Sequence, residues 1–323
     1  MVPSPSIING DTGRRPTIYF VDDYHPEAVK YAQDRAHTIL PGDHEHANWR
    51  QNAKYVLVGG TAFSRQDLAS CPNLQAIGKR GTGIDKIDAV ACKERGIKVL
   101  NTPGINARAV AEMVLALTMS VAREVGRAAY TQQRGEEVAR GQWSGLMLHK
   151  TTVGIVGMGN IGEQVARIFR GAFDAEVIAY DPYVATKAWK GIPHTRADTL
   201  DEVLQAADVV TLHVPLLDST HGLISYRELQ LMKRQAILIN AARGGIVDER
   251  DLEQALREGL IWGAGLDCHE VEPPTKERYA ALWELGVVST PHIAAKTAQT
   301  QMDTAIAAVK QVIDFATETG SRI

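Results

Sequence analysis

Cysteine is scarce: Cys71, Cys92 and Cys268 are the only three in 323 residues. An odd number at wide spacing makes neither a disulfide framework nor a zinc site. It fits a reducing compartment. Long hydrophobic runs are also missing; none approaches the 18 or so apolar residues that a membrane-crossing helix needs. The opening Met1-Val2-Pro3-Ser4-Pro5-Ser6 has no basic stretch leading into an apolar core, so no secretory signal is expected there. Charge of one sign is lacking too. The net charge is −3, which gives no general attraction to nucleic acid or to an anionic membrane. There is no internal repeat of fixed period and no low-complexity tract. What remains is ordinary for a soluble folded chain, 45% hydrophobic and 23% charged. The length suggests two domains, and the expected setting is the cytoplasm.

Residues up to about 15 are rich in Pro, Ser and Gly and read as a loose leader. Strands are then expected at 17–21, 55–58, 74–78 and 97–100, with helices at 26–36, 64–69 and 85–94. Strand and helix in alternation imply a parallel sheet with helices on both faces. After the turn Asn101-Thr102-Pro103-Gly104, dense apolar positions (Val110, Met113, Val114, Leu117, Val121) predict one long helix over 107–134. Such a helix is buried on more than one side, as a core helix or at a domain or subunit contact. The charges between Arg123 and Arg140 alternate in sign and read as a solvated face. A second alternating series starts near 151. It has strands at 153–156, 176–180, 209–214, 236–240, 264–266 and 287–289. Its helices fall at 161–169, 200–206, 226–232 and 249–257, and the chain closes with a helix over 297–316.

The strand at 153–156 runs into Gly157-Met158-Gly159-Asn160-Ile161-Gly162, a G-x-G-x-x-G turn that opens a helix. Gly157 permits a tight turn, Gly159 lets a pyrophosphate approach the backbone, and Gly162 lets the helix pack closely on the strand. The next strand ends in Asp181, at the spacing expected for an acid that binds a ribose. That acid favours NAD over NADP. A carboxylate about 4 Å from a 2′-phosphate, at an effective dielectric of about 20, costs about 4 kcal/mol per unit charge. No Arg directly follows Asp181, and Lys187 is the nearest cation downstream.

Three polar residues follow three successive strands: Arg243 in Ala241-Ala242-Arg243-Gly244-Gly245, an acid in Asp267-Cys268-His269-Glu270-Val271-Glu272, and His292 in Thr290-Pro291-His292. Ligands of parallel α/β sheets bind beyond the carboxyl ends of strands. An Arg, an acid and a His placed there supply an anion binder, a proton donor and a carboxylate that supports it. His44-Glu45-His46 has metal-ligand character, but nothing completes a site, and it reads as a solvated loop. No metal is expected. Cys268 falls near the constellation, though no step needs a thiolate.

With those residues in view, the chain resembles the D-2-hydroxyacid dehydrogenases, and most of all their D-3-phosphoglycerate dehydrogenase branch. The resemblance runs from about residue 50 to near the end. It rests on Gly81-Thr82-Gly83-Ile84-Asp85, Asn101 to Gly104, Ala109-Val110-Ala111-Glu112, Gly157 to Gly162, Leu212-His213-Val214-Pro215-Leu216, Asn240 to Asp248, Asp267 to Pro273 and Pro291-His292. It implies an α/β fold of two doubly wound parallel-sheet domains of Rossmann and flavodoxin type, with the active site in the cleft between them. Residues 1–102 plus 296–323 would form a substrate domain and 103–295 an NAD-binding domain. Arg243 would bind the substrate carboxylate, His292 would be the acid–base, and Glu272 would stabilise protonated His292. Thr82, Gly157, Gly159, Asn160, Ile161, Gly162, Asp181, His213, Val214, Pro215, Ala241 and Asp267 would meet the NAD, with Asp267 near the nicotinamide carboxamide. Lys79, Arg80 and the backbone at Gly81 and Gly83 would meet a small 2-keto or 2-hydroxy acid. A homodimer through the long helix and the arm after it is implied as well.

The chain departs from the pattern in places. Gly59-Gly60-Thr61 stands where phosphoglycerate enzymes carry an Arg, and Lys79 where their phosphate-binding Arg is expected. The arm Gln142 to Leu146 lacks a basic cluster. His269 replaces a usual aromatic, and Lys296 a small residue. A glyoxylate or hydroxypyruvate reductase therefore stands beside phosphoglycerate as an expectation. Glu272 argues against the family's formate enzymes, which carry Gln there; phosphite oxidation uses a similar triad and stays open. A different class also resembles this chain: C-terminal-binding-protein corepressors, which use the fold and NAD for recruitment.

Overall fold

β-branched and aromatic residues in short runs form the strands of this chain, and each run is followed by a capped helix. The computed structural model describes residues 15–137, 141, 143–185 and 188–320. The expected leader up to residue 14, Gln142 of the arm, and Lys187 lie outside the described residues. Two compact units emerge, Met1–Thr102 with Met302–Ile323, and Pro103–Gln301.

In the first unit, β1 (Thr17–Phe20), β2 (His37–Ile39), β3 (Tyr55–Val58), β4 (Ala76–Lys79) and β5 (Lys98–Asn101) are all parallel, in the order β2-β1-β3-β4-β5. That order is one of the two common doubly wound arrangements. Successive side chains point to opposite faces, so the sheet feeds two cores. Tyr19, Val56, Val58 and Ile77 pack with Trp49, Phe63 and Leu68 on one face. Ile18, Phe20, Tyr55 and Leu57 pack on the other with α1 (Pro26–Gln33) and α12 (Ala298–Gly320), which belongs to this unit from Met302 onward. At Gly78 a Cβ would lie 2.3 Å from a Val312 methyl, so α12 lies directly on β4. Local signals set the boundaries. Pro26 sits in the first turn of α1, and Ser64 forms a capping box with Asp67 at α3 (Arg65–Ala69). Asp88 caps α4 (Ala89–Glu94), which therefore starts later than the expected 85.

In the second unit, β6 (Thr152–Val156), β7 (Glu176–Tyr180), β8 (Thr195–Arg196), β9 (Val209–Leu212), β10 (Ile237–Asn240), β11 (Gly263–Leu266) and β12 (Val288–Ser289) are likewise parallel. Their order is β12-β11-β10-β9-β6-β7-β8, which reverses between β6 and β9. One face carries α5 (Ala107–Ala122) and α7 (Asn160–Phe173); the other carries α8 (Leu200–Ala206), α9 (Tyr226–Leu231), α10 (Glu249–Arg257) and α11 (Lys276–Glu284). A Cβ at Gly263 would meet Val121 at 2.8 Å, and one at Gly265 would meet Leu117 at 3.1 Å. The two glycines let α5 sit close on β11.

The structure corrects the expected single helix over 107–134. It breaks after Ala122, with Glu124 left-handed at φ 51°, and α6 (Val125–Gln133) starts anew with no buried residue. The carbonyl of Ala122 accepts the Leu146 N–H at 2.8 Å, so the returning chain takes the ladder position. The expected strand 209–214 stops at Leu212, where the chain turns at His213. β2, α2 (Trp49–Asn52), β8 and α11 are additional elements. The solvated segment His44–Asn48 is a 3₁₀ turn with no buried residue, and His46 Nε2 donates to the Phe20 carbonyl at 2.8 Å.

Candidate active site

The glycine turn stands where the strand order of the second unit reverses. Gly157 has φ 102°, and a Cβ there would lie 2.4 Å from the His213 carbonyl oxygen. His213 N–H in turn donates to Val156 O at 2.7 Å. Only glycine fits between β6 and β9 at this point. A Cβ at Gly162 would fall 2.4 Å from Gly157 O, so α7 packs as tightly as the motif requires. At Gly159, which caps α7, a Cβ would meet nothing within 4 Å. Open space at the positive end of a helix of 14 residues suits a pyrophosphate. Asn160 and Ile161 open that helix, with Asn160 beside Gly104 and Ile161 packed on the core.

Asp181 follows β7 directly. Its Oδ2 accepts Met158 N–H at 2.9 Å, which ties it to the glycine turn, and its Oδ1 accepts Tyr183 N–H at 2.9 Å and Val184 N–H at 3.1 Å. The fold also brings a cation that the sequence reading placed nowhere near. Arg196 of β8 donates to the carbonyls of Asp181 and Val184 at 2.6 Å each and of Ala185 at 3.1 Å. Its guanidinium is thus committed to the backbone of the Asp181 turn. His213 shares a hydrogen bond with Thr211 Oγ1 at 2.9 Å, while its Nδ1 is buried with no partner among the described residues. Burial pushes this imidazole down to about 3, so it is neutral at any physiological pH. Val214 lies against the Gly157 turn, and Pro215 is exposed.

The ends of β10, β11 and β12 bring Arg243, Glu272 and His292 into adjoining loops. Asn240 closes β10 and holds the Arg243 loop: its Oδ1 accepts Ala242 N–H at 3.1 Å and its Nδ2 donates to Arg243 O at 2.8 Å. Ala241 and Ala242 are buried, and Arg243 is half-buried. A Cβ at Gly244 would lie 1.8 Å from His269 O, so this loop presses against the one after β11. His292 has φ 53°, a conformation that costs a non-glycine residue about 1 kcal/mol or more. Asp267 enforces it. This carboxylate is fully buried. It accepts Thr290 Oγ1 at 2.6 Å, Ile293 N–H at 2.9 Å and Ala294 N–H at 2.9 Å, and its own carbonyl accepts His292 N–H at 2.7 Å. Within the chain, then, Asp267 is the anchor of the His292 turn. Removing it leaves one buried donor, Ala294 N–H, and two part-buried ones unpaired, the buried one at about 1–3 kcal/mol and the others at less. Asp267→Ala is expected to lower unfolding stability by about 3 kcal/mol or more, read from the denaturant midpoint. An unchanged midpoint would refute the anchor.

His292 Nδ1 donates to the Glu272 carboxylate, 2.9 Å from Oε2 and 3.0 Å from Oε1. That leaves Nε2 as the ring nitrogen directed away from the acid. Behind this pair sits a layer that motif reading does not reveal. His269 N–H donates to Glu272 Oε1 at 3.2 Å, its ring meets Tyr279 edge-on at 4.9 Å, and its Nε2 pairs with Ser289 Oγ at 2.8 Å. Burial pushes the His269 imidazole below its ordinary range, so it packs as a neutral ring. Tyr279 of α11 accepts Val271 N–H at 2.9 Å, and Glu249 accepts Glu270 N–H at 2.8 Å. Cys268 lies with Glu272 and His292, their ligand atoms within 4.8 Å of one another. The thiol donates to Ala242 O at 3.4 Å, and burial pushes its ionisation up.

The remaining expected residues lie in the first unit, after β4. Lys79 is buried, and its Nζ donates to the carbonyls of Gly59 and, at 3.0 Å, of Arg80. Arg80 lies over the Tyr24 ring at 5.2 Å. Gly81 has φ 102° and donates its N–H to Thr102 Oγ1 at 2.9 Å. Thr82 is exposed, its carbonyl accepting Asn101 Nδ2 at 2.6 Å, and Gly83 is half-buried.

Known proteins share the sequence pattern and the fold of this chain. Residues 115–294 match the family model described as D-isomer specific 2-hydroxyacid dehydrogenase, NAD binding domain. A D-3-phosphoglycerate dehydrogenase of Methanocaldococcus jannaschii is 34% identical over 288 residues, 88% of this chain and 54% of that protein. A hydroxypyruvate reductase of Thermotoga maritima is 41% identical over 258 residues, 80% of this chain and 82% of that one. The chain thus spans about half the length of the phosphoglycerate relative. Among solved structures, a D-lactate dehydrogenase from Aquifex aeolicus complexed with NAD and lactic acid is 27% identical, with a TM-score of 0.79 over 94% of this chain and 96% of that one.

Proposed function

The chain belongs to the D-isomer specific 2-hydroxyacid dehydrogenases, and on that premise we propose that it reduces a small 2-keto acid with NADH, or oxidises the 2-hydroxy acid with NAD. The observation that carries this reading is the His292–Glu272 pair, 2.9 Å apart and set at the ends of strands that also present Arg243. The second unit fits the cofactor through the open turn at Gly159 and through Asp181. When bound, the nicotinamide supplies or takes the hydride at C2 of the acid. Thr82, Ala241, Val214 and Pro215 are assigned to its surroundings.

Everything else falls to the side chains. The Arg243 guanidinium takes the substrate carboxylate and polarises the carbonyl. The backbone around Gly81 and Gly83 is assigned to the substrate, which makes the first unit the substrate domain. In reduction, His292 Nε2 gives its proton to the oxygen on C2 as that carbon gains hydride; the imidazole is left neutral and the product is the hydroxy acid. Oxidation runs the same proton back. Glu272 favours the imidazolium that starts the reductive direction. Glu272→Gln keeps a partner for Nδ1 but removes the charge that supports the donor, and the reductive kcat should fall by about tenfold or more with KM little changed. A kcat unchanged between the two proteins would sink this role.

Exposed Val125, Tyr130 and Met147, on α6 and the arm that follows it, support a homodimer formed there. Three free buried cysteines and the lack, among the described residues, of any helix long and apolar enough to cross a membrane support a cytoplasmic setting. The direct test is NADH oxidation with glyoxylate, hydroxypyruvate, pyruvate, phenylpyruvate and 3-phosphohydroxypyruvate, with NADPH in parallel. Turnover with NADH preferred is expected. Tight NADH binding with no turnover of any acid would leave recruitment as the function instead.

A further inference from the structure

Three groups with metal-ligand chemistry meet where the loops after β11 and β12 adjoin. The Cys268 Sγ, a Glu272 carboxylate oxygen and a His292 ring nitrogen all lie within 4.8 Å of one another. No sequence spacing marks them as a set, because His292 comes from the second of the two loops. Proton transfer uses Glu272 and His292 and leaves Cys268 idle. Sulfur, imidazole and carboxylate together are the donor types of a zinc site.

Each ligand is held from behind. Cys268 is buried, and its thiol donates to Ala242 O at 3.4 Å. Glu272 Oε1 accepts His269 N–H at 3.2 Å. His292 is fixed by its turn, its N–H donating to Asp267 O at 2.7 Å. Outer contacts of this kind orient ligands and raise metal affinity. The local charge also suits a cation. The carboxylates of Asp267 and Glu272 and the guanidinium of Arg243 act on the thiol, while His269 packs neutral. With Cys268 as thiolate, three anions face one guanidinium, an excess that a divalent ion neutralises. The geometry closes with small shifts. Tetrahedral zinc, about 2.3 Å from sulfur and about 2.0–2.2 Å from nitrogen and oxygen, sets its ligand atoms about 3.5 Å apart. Glu272 and His292, now 2.9 Å apart, would open by about 0.6 Å and draw toward the buried sulfur by no more than about 1.3 Å. Both side chains are partly exposed and free to make that move.

We propose that Cys268, Glu272 and His292 bind a thiophilic divalent cation of the zinc class, and that the bound ion switches the acid–base pair off. The ion takes the place of the proton between Nδ1 and Glu272. The Cys268 and Nδ1 protons leave to solvent, and no oxidant or reductant takes part. An imidazole tied to the ion through Nδ1 no longer forms the imidazolium that donates from Nε2. Hard cations such as Mg²⁺ prefer oxygen ligands and are not held. The site stands on the chain's own residues; its effect on turnover rests on the 2-keto acid reading above.

The test measures keto acid reduction with added Zn²⁺ on the wild-type protein, Cys268→Ala and Cys268→Ser, with Mg²⁺ in parallel. Alanine removes the sulfur, and serine keeps a donor to Ala242 O should alanine not fold. Without metal the three should turn over at similar rates. The Zn²⁺ concentration for half-inhibition should rise about tenfold or more in both variants, since contacts behind a ligand alone are worth about 10–100-fold in metal affinity. EDTA should restore the wild type, and Mg²⁺ should not inhibit it. A wild type left active by Zn²⁺, equal half-inhibition in wild type and variants, or equal inhibition by Mg²⁺ overturns the proposal. A second readout needs no turnover: Cd²⁺ titrated into each protein, followed by the ultraviolet band of sulfur-to-metal charge transfer. The band should form in wild type, be absent in Cys268→Ala, and need more Cd²⁺ in His292→Asn. A band that persists in Cys268→Ala belongs to Cys71 or Cys92 and overturns the site, as does an unchanged titration in His292→Asn. If no keto acid is reduced at all, the parent reading fails by the first assay, and the Cd²⁺ band still decides whether the site exists.

Discussion

His292→Asn should lower the rate of keto acid reduction by roughly 10²–10⁴-fold, the range that a positioned general acid contributes, while NADH binding changes little. Asn is the informative substitution because residue 292 sits at φ 53°, and Asn enters the left-handed region more readily than other non-glycine residues. The backbone frame is then kept: the His292 N–H still donates to Asp267 O, and the Asp267 carboxylate still holds Ile293 and Ala294. What disappears is an imidazole with Nδ1 on Glu272 and Nε2 available for the substrate oxygen. A second signature separates proton transfer from mere packing. In the wild-type protein the reductive rate should fall in deuterium oxide, because His292 gives a solvent-exchangeable proton, and in the variant that isotope effect should vanish. Steady-state rates in the two solvents, with NADH affinity measured by fluorescence, check both. A loss below tenfold, or an isotope effect that survives the substitution, would remove His292 from the reaction.

The residues that make the cofactor turn were legible because their constraint is local. Gly157, Gly159 and Gly162 are fixed by a strand, a turn and a helix that are contiguous in sequence. The same holds for β3, β6 and β10, whose apolar runs have no polar interruption. Legibility ended where the partner is remote. Asp267 and the His292 turn are 25 residues apart, so the resemblance placed that carboxylate near the cofactor and gave no sign that its oxygens also accept Thr290, Ile293 and Ala294. Arg196 reaches the Asp181 turn only because β8 pairs with β7. Asp22 meets Gly59 to Thr61 because β1 and β3 are neighbours, although β2 lies between them in sequence. α11 was missed for another reason: it buries only Tyr279 and Leu282, too few to print a helical period. No proline marks the break at Glu124, and Gly126 falls inside α6 rather than at the break, where Leu146 N–H bonds to the Ala122 carbonyl.

Arg243→Ala carries the second large effect: kcat/KM for the keto acid should fall about 10³-fold, with KM raised and kcat lowered together. The two parameters move together because the guanidinium is assigned two tasks. Binding the carboxylate is felt equally in ground and transition states and appears in KM, whereas polarising the C2 oxygen strengthens as charge develops and appears in kcat. The frame around Arg243 predicts that the loss is local. Asn240 holds the loop through Ala242 N–H and Arg243 O, both backbone atoms that alanine retains. Gly244 lies against the His269 carbonyl whatever the neighbouring side chain is. The denaturant midpoint should therefore stay within about 1 kcal/mol of wild type, the ordinary range for a half-exposed side chain outside the core. Arg243→Lys sharpens the argument. A lysine restores the charge but not the planar fork, so it should recover KM in part and kcat much less. If lysine restored both, a point charge would suffice and the polarising role would fall. If alanine raised KM with kcat intact, Arg243 would be a carboxylate anchor alone, and the charge on the C2 oxygen would rest on His292.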